Sequence, residues 1–448
     1  MKTIFITSFH VLISRNIFSA PFFKLLTEDK SIKIVLVVPE KKKDFFEKQY
    51  GGERVEILGI KNPLTRLDDF LKDFALAAVR TRSLAIMRAR KMGLERPLSQ
   101  KIFFWAPIFR HYIPRLYSLL LPDAFFKEIF GRYQPAVIFS TDVFSAVDCR
   151  IMLAAKRRSI PIVGMVRSWD NLTTKGGFRV IPNLLVVHNE IIKKEAIEIH
   201  NIDPAIIKIT GIPHYDNYLL EPTVNREQFL DKFGMGKNDR FVVYAPLGDR
   251  IMKVSEHIYR PHTFDRDMIK ILDEVIPKSH HLLVRFPPTD SVNLDGANFS
   301  SRVILERPGT SFGSDLKGIR TSELSSEDDK HLINTIFYCD FVLTPFSSIA
   351  IDAALLDKPV IILGFDPYPV SYIESVERLH EFNHYKQLFI SGGVCLVKSR
   401  WELDKSITNY LADLAKDKEE RKNMIREQCF KVDGQASQRL FDVVEKFL

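Results

Sequence analysis

An α/β architecture of two doubly wound parallel-sheet domains is predicted by three observations in the 448-residue sequence. Short β-branched runs alternate with helical patterns from the first residue onward. The runs are almost wholly apolar rather than alternating, as strands are when helices cover both faces of a parallel sheet. The pattern breaks at Glu221-Pro222-Thr223 and then restarts, so it describes two domains of one kind.

In the first half, strands are read at 3–7, 34–38, 136–139, 160–166 and 184–187, and in the second at 241–245, 281–285, 303–305, 341–344 and 360–363. A helix is read at 349–356 and another at 436–448. The expected organisation is one domain over 1–220, a second over 221–428, and a C-terminal helix, 429–448, packing back on the first domain. Ligands of open α/β sheets bind beyond the carboxyl ends of the strands, so two such sheets are expected to face one cleft.

Composition narrows the function classes. With 46% hydrophobic and 27% charged residues, disordered and fibrous proteins are excluded. Cys149, Cys339, Cys395 and Cys429 lie far apart with no CxxC pair, which argues for a reducing cytoplasm and against a disulfide framework or zinc ribbon. No signal-peptide pattern opens the chain and no run of 18 apolar residues occurs, so cytoplasmic residence is expected, with any membrane contact peripheral, at the inner face. The net charge of +8 is uneven: residues 1–220 hold 34 basic against 21 acidic residues, or +13, leaving −5 for the remainder. A basic first half suits anionic lipid or a phosphate-bearing substrate. No nucleic-acid-binding signature accompanies it, and nucleic acid is not an expected partner.

Two stretches could carry the membrane contact. Arg80, Arg82, Arg88, Arg90, Lys91 and Arg96 interleave with Leu84, Ile86 and Met87, and Phe103-Phe104-Trp105 precedes Arg110, His111, Tyr112, Arg115 and Leu119-Leu120-Leu121. Basic and interfacial aromatic residues together are the chemistry of a helix on an anionic bilayer. A solvated basic face beside a core element reads equally well.

Segment 339–366, CDFVLTPFSSIAIDAALLDKPVIILGFD, is strand, turn, helix, strand. Ser347 and Ser348 stand where the helix begins, at the end of a strand closing with Thr344. Hydroxyls and unpaired N–H groups there can hold a phosphate or diphosphate, or the serines can simply cap the helix. Asp352, one turn on, is placed to accept from sugar hydroxyls. Arg285, at another strand end, is a diphosphate partner or a surface ion pair.

Segment 168–176 follows the strand at 160–166 and is rich in functional groups. Asp170 leads as general base for an acceptor hydroxyl. Trp169 can stack on a sugar face, Asn171 can read a hydroxyl and Lys175 can counter phosphate charge. The alternative is an Asp-Asn turn beside a core Trp. Asp142 and His10, each past a strand, are second choices for the base. A literal H-E-x-x-H at His380-Glu381-Phe382-Asn383-His384, with Glu402 as a third ligand, would bind zinc if helical, but so short a pattern arises by chance and no metal is expected.

The run T-P-F-S-S-I-A-I-D-A-A-L-L-D-K-P-V-I, through Ser347, Ser348, Asp352, Lys358 and Pro359, resembles the nucleotide-diphosphate motif of GT-B glycosyltransferases, particularly the CDP-glycerol glycerophosphotransferase-like branch. Three further segments are similar to that branch in the right order. Gly211-Ile212-Pro213-His214-Tyr215-Asp216 is like its Gly-x-Pro-Arg-x-Asp, with His214 for Arg, which makes His214 a substrate-binding candidate. Tyr244-Ala245-Pro246 is like its Tyr-Ala-Pro, followed by Leu247-Gly248-Asp249-Arg250 in place of Thr-Trp-Arg. Asp433-Gly434-Gln435-Ala436-Ser437-Gln438-Arg439 is like its closing motif. The departures are Pro345-Phe346 for Asp-Tyr, Ser168 near the position of one catalytic histidine and Phe286 at the position of another.

The resemblance implies a GT-B fold of two Rossmann-like domains, a donor diphosphate on Ser347, Ser348, Thr344 and Arg285, ribose on Asp352, and an acceptor handled by Ser168, Trp169, Asp170, Asn171 and Lys175. The absent histidines turn the expected reaction toward sugar transfer, from a nucleotide-sugar donor to a cell-envelope polysaccharide or lipid-linked glycan, with no cofactor. The rivals are a CDP-glycerol-type glycerophosphotransferase, a nucleotide-sugar 2-epimerase, and a non-catalytic nucleotide- or glycan-binding member.

Overall fold

The computed structural model describes residues 1–92, 103–249, 263–314 and 320–448. The chain forms two compact units: Met1–Ala85 with Arg96–Asn217 and Cys429–Leu448, and Ile86–Glu95 with Tyr218–Gln428. Both are α/β with parallel sheets, as the apolar strand runs require.

The first unit is built on seven parallel strands: β1 (Lys2–Thr7), β2 (Ile32–Pro39), β3 (Val55–Ile60), β4 (Val137–Ser140), β5 (Ile162–Met165), β6 (Leu184–Val187) and β7 (Ile207–Ile209). Their order is β3-β2-β1-β4-β5-β6-β7. Both faces are buried, Phe5, Val35 and Val37 entering one apolar cluster and Ile4, Ile6, Ile34 and Leu36 the other. The order reverses between β1 and β4, so the loops bearing His10 and Asp142 flank the switch point where such sheets bind ligands.

The chain leaves this unit after Asn217 and returns to it at Cys429. Its last helix, Ala436–Glu445, places Leu440, Val443 and Val444 on the cluster holding Phe22, Phe23 and Leu26 of the helix Pro21–Glu28. Burial of such side chains contributes about 1.5–3 kcal/mol each. Gln435 at the N-cap gives that helix no side-chain hydrogen bond. Asp216 supplies the cap instead, Oδ1 accepting from the Ala436 N–H at 3.1 Å and Oδ2 from the Ser437 N–H at 2.8 Å. Hydrogen bonds to a charged group are each worth about 1.5–3 kcal/mol.

The second unit has β8 (Arg240–Tyr244), β9 (His280–Arg285) and β10 (Val303–Glu306), an antiparallel hairpin of β11 (Thr310–Ser314) and β12 (Arg320–Glu323), then β13 (Val342–Thr344), β14 (Val360–Leu363) and β15 (Cys395–Val397). The six-stranded sheet runs β10-β9-β8-β13-β14-β15, all parallel. Its switch point lies between β8 and β13. The turn Pro345–Ser348 follows β13 at that point.

The described part of the first stretch, 80–92, is not a free surface helix. Leu84 and Ile86, in the helix Arg82–Met92, are buried, and Ile86 belongs to the core of the second unit. Burying its apolar residues removes the face a bilayer would contact. The second stretch behaves differently: Ile108, Phe109, Tyr112, Leu119, Leu120 and Phe125 are exposed, Leu119 at 80%, among exposed Arg110, His111 and Arg115. Arg96 and the side chains of Arg90, Lys91 and 103–105 lie outside the described residues. Among the described residues, no helix is long and apolar enough to cross a membrane.

Candidate functional site

The donor-side candidate is assembled at the β8/β13 switch point. Beyond β8, the buried Asp265 of the helix Phe264–Val275 fixes the chain: Oδ1 accepts from the Tyr244 hydroxyl at 2.6 Å and the Leu247 N–H at 3.0 Å, and Oδ2 from the Gly248 N–H at 2.9 Å. Burial drives its pKa up to about 6 against those three hydrogen bonds. Gly248 has φ +87°, and a Cβ there would meet Asp290 Oδ2 at 2.6 Å, so the turn needs glycine. Asp249 then accepts from Ser291 Oγ at 2.9 Å and the Asn293 N–H at 3.0 Å, tying the loops after β8 and β9 together.

Across the switch point, Ser348 occupies the N-cap of the helix Ile349–Leu355, yet its hydroxyl makes no capping bond. Ser347 Oγ accepts only a long one, 3.3 Å, from the Ile349 N–H. The half-buried serines are therefore not consumed by the cap. The turn behind them is braced. His380 Nε2 lies 3.0 Å from the Pro345 carbonyl, the Tyr385 hydroxyl donates to the Ser347 carbonyl at 3.2 Å, and Phe346 stacks on Tyr385 at 4.2 Å. A cavity of about 520 Å³ opens past β14 and β15, lined by Phe365, Asp366, Tyr368, Ser375, Glu377 and Lys398.

Three other donor-side expectations meet partners already in place. Thr344 is buried and its Oγ1 donates to the Ala245 carbonyl at 2.9 Å. Asp352 is buried, accepting from the Tyr218 hydroxyl at 2.9 Å, so its carboxylate serves the interior of the unit rather than an open ribose site. Arg285 pairs with Glu306 at 2.6 Å, and Glu306 also reaches His331 at 2.5 Å. Burial opposes the charge of Glu306, but His331 and Arg285 together hold its pKa near 2. A buried pair of this kind commits the guanidinium, since removing one member strands the other charge.

In the first unit, Asp170 heads the short helix Asn171–Thr174. Its Oδ2 accepts from Thr174 Oγ1 at 2.9 Å and its Oδ1 from Asn171 Nδ2 at 3.3 Å, which orients the carboxylate. Asn171 is fully buried and also accepts from the Ser168 N–H at 3.2 Å, so it shapes the turn instead of reading a hydroxyl. Trp169 is half-buried against the core, Ser168 is half-buried and Lys175 is exposed. Asp142 forms a buried ion pair with Arg167 Nε at 2.7 Å while accepting from the Phe144 N–H at 3.0 Å. Those bonds make it a structural acid.

His10 is half-buried, and its Nδ1 accepts from the Leu12 N–H at 3.2 Å. Burial, then Arg167, Lys175 and Lys42, hold its imidazole well below the usual pKa, with Asp170 pulling the other way. The carboxyl edge of the first sheet thus gathers Lys42 after β2, His10 after β1, and Arg167, Asp170 and Lys175 after β5. Sequence reading did not single out Lys42 and Arg167; a basic residue within three positions of the end of an apolar strand was the available signal.

His214 is 0% exposed, beside Tyr215 in the turn Pro213–Leu219, and presents no open surface to a substrate. The matched motif around it is structural, because its Asp216 caps the C-terminal helix. The H-E-x-x-H pattern is not one helix. Val376–Glu381 is 3₁₀, Phe382 is extended at φ −62°, ψ 141°, and an α-helix starts at Asn383, so the two imidazoles do not share a helical face. Glu402 instead accepts from the Lys398 N–H at 2.6 Å. Among the described residues, no cluster of three metal-ligating side chains occurs.

A family model described as CDP-Glycerol:Poly(glycerophosphate) glycerophosphotransferase matches residues 166–446. No curated protein sequence matches the chain. Among solved structures, a UDP-N-acetylglucosamine 2-epimerase is similar over 99% of this chain and 96% of its own, at 14% identity and a TM-score of 0.55. The Neisseria meningitidis UDP-GlcNAc 2-epimerase bound to UDP-GlcNAc is similar over 100% of both chains at 13% identity and 0.55. A variant of the wall teichoic acid polymerase TagF is similar over 99% of this chain and 88% of its own, at 12% identity and 0.56. Identities this low establish the fold, which is of the GT-B type.

Because neither serine hydroxyl carries the helix cap, Ser347→Ala combined with Ser348→Ala is expected to weaken CDP binding at least about tenfold in calorimetry. The same double variant should lose no more than about 1 kcal/mol of stability in chemical denaturation, the scale of one modest cap. Unchanged CDP affinity in the folded variant would remove the turn from the donor site.

Proposed function

The chain belongs to the CDP-glycerol:poly(glycerophosphate) glycerophosphotransferase family, and from that premise we propose that it transfers an alditol phosphate, glycerol phosphate foremost, from a CDP-activated donor to a hydroxyl of a growing cell-envelope polymer. The observation that carries this reading is the family match, which spans both the Asp170 segment and the Ser347-Ser348 turn. It favours phosphate transfer over the sugar transfer that the absent histidines suggested. The epimerase reading has only the shared fold behind it.

In this reaction the acceptor oxygen attacks the β-phosphorus of the donor. A new P–O bond forms, the bond from that phosphorus to the bridging oxygen breaks, and CMP leaves with the bonding pair. Asp170, oriented by Thr174 and Asn171, takes the acceptor proton. Ser347, Ser348 and the N–H groups of their turn hold the diphosphate and stabilise the charge that moves onto the leaving CMP. Lys42 and Lys175 supply the positive field for an anionic acceptor around His10, which stays neutral, while the charge of Arg167 is balanced by Asp142.

Asp170→Asn keeps the volume and most of the hydrogen bonding but cannot take a proton. It is expected to lower kcat by two or more orders of magnitude in a CDP-glycerol assay, with CDP affinity within about threefold of the parent protein. A kcat within a few-fold of the parent would leave Asp170 a turn residue and pass the assignment to His10.

The polymer acceptor of such an enzyme is held at a membrane, and the exposed Ile108, Phe109, Tyr112, Leu119, Leu120 and Phe125 among Arg110 and Arg115 suit the inner-face, anionic leaflet. Co-sedimentation with vesicles containing phosphatidylglycerol should fall several-fold in Leu119→Ser with Phe125→Ser. Equal binding by parent and variant would take the membrane away from this patch.

A further inference from the structure

The helix Glu190–Glu198 carries a buried stripe, Ile192 and Ala196, that continues to His200 just past its end. His200 Nε2 lies 2.8 Å from the Leu172 carbonyl, so this stripe is turned to the short helix Asn171–Thr174 that Asp170 heads. Glu195 sits at the edge of the stripe, three residues after Ile192 and directly before Ala196. A carboxyl group is out of place there. Its Oε2 is buried and has no hydrogen-bond partner among the described residues. An ionised carboxylate so placed would be costly, and the cost is largest with a second carboxylate close by.

We propose that Glu195 is a positioning residue for Asp170: it remains the neutral acid, so that the Asp170/Glu195 pair presents one negative charge, on the carboxylate that faces the acceptor hydroxyl. This rests on the reading of Asp170 as general base. Asp170 is the member oriented as an acceptor, by Thr174 Oγ1 and Asn171 Nδ2, whereas Glu195 has no donor to stabilise a charge on Oε2. Burial first, and Asp170 second, push the Glu195 pKa up to about 8.

The other charges around Glu195 do not offset this. On its own helix Lys194 and Glu198 are exposed and 3.9 Å apart. From β7, Lys208 is exposed, and from the short helix only Asp170 and the exposed Lys175 carry charge. His200 is neutral, its pKa pressed to about 4 chiefly by burial, and Arg110 reaches the Ile199 carbonyl at 3.5 Å. Above about pH 8 the pair acquires a second negative charge, beside substrates that are themselves anionic. The loss therefore falls on substrate binding, and the apparent transition belongs to the pair.

Linkage fixes a second consequence. A carboxyl whose folded pKa is raised contributes stability that is present below its unfolded value, near 4.5, and is lost as pH climbs toward 8. Glu195→Gln removes that loss.

The experiment is a pH profile from 6 to 9.5 with CDP-glycerol and acceptor, comparing the parent, Glu195→Gln and Asp170→Asn. The parent should lose kcat/KM above about pH 8 through a rising KM, and Glu195→Gln should lack this alkaline fall and exceed the parent at pH 9 by at least about threefold. The Tm of Glu195→Gln relative to the parent should rise between pH 5 and pH 8. An alkaline fall retained in Glu195→Gln, or a Tm difference flat over that range, overturns the proposal. Asp170→Asn separates the two ideas: full turnover there rejects Asp170 as base, while a dead Asp170→Asn beside an unaltered Glu195→Gln profile rejects Glu195 alone.

Discussion

The carboxylate of Asp216 at the N-terminus of the last helix is the constraint on which the chain's organisation depends. Its two hydrogen bonds, to the Ala436 and Ser437 N–H groups, join positions 220 and 221 residues away along the chain. Around them Arg439 donates to the Thr210 carbonyl at 2.9 Å and pairs with Asp433 at 2.9 Å, and Gly211, at φ +79°, would bring a Cβ within 3.3 Å of Ala436 Cβ. Two motifs that bracket the second unit in sequence thus interlock within the first. Only two residues after Asp216, the Tyr218 hydroxyl donates to Asp352 in the helix that Ser348 heads. The chain is anchored as it leaves one unit and again as it enters the other.

The two candidate sites use different electrostatics. Around the Ser347-Ser348 turn the groups on offer are hydroxyls and backbone N–H, with nearby carboxylates engaged by Tyr244, Tyr218, Arg285 and His331. At the carboxyl edge of the first sheet, cations and carboxyls are concentrated. Besides the Arg167–Asp142 pair, the fully buried Asp148 accepts from Thr7 and Ser140, and burial, with Asp142 beside it, raises its pKa to about 7. In the proposed reaction neutral dipoles suit a donor diphosphate whose nucleotide leaves as CMP, since a full counter-charge would hold the product as well. A charged site suits a proton transfer from an acceptor that is itself anionic.

Much of the fold was legible because apolar runs of strand length need no partner to be recognised. The strands missed are Val55–Ile60, where Glu56 and Gly59 break the run, the polar hairpin Thr310–Ser314 and Arg320–Glu323, which has no apolar run, and the three-residue Ile207–Ile209 and Cys395–Val397, which are too short to carry a pattern. The site was legible in part. Ser347, Ser348 and Asp170 stand at strand ends, which topology makes functional ground. Arg285 and Asp352 stand there too, but their partners Glu306 and Tyr218 are remote in sequence or in another motif, and no local pattern reveals such pairing. His214 was drawn into the site by a motif whose acid, Asp216, proves to be a helix cap. The extended Phe382 in H-E-x-x-H is a backbone break that five letters cannot show. Glu195 was not read from the sequence, because the burial of its Oε2 comes from the packing of its helix.

Which bond of the donor breaks decides between phosphate transfer and transfer of the alditol alone. The direct measurement is the nucleotide released when the protein turns over CDP-glycerol, labelled in the β-phosphate, in the presence of a primed polymer acceptor. Attack at the β-phosphorus predicts CMP, formed one for one with label entering the polymer. Release of CDP, with the label remaining on the nucleotide, would mean attack at carbon and would contradict phosphate transfer.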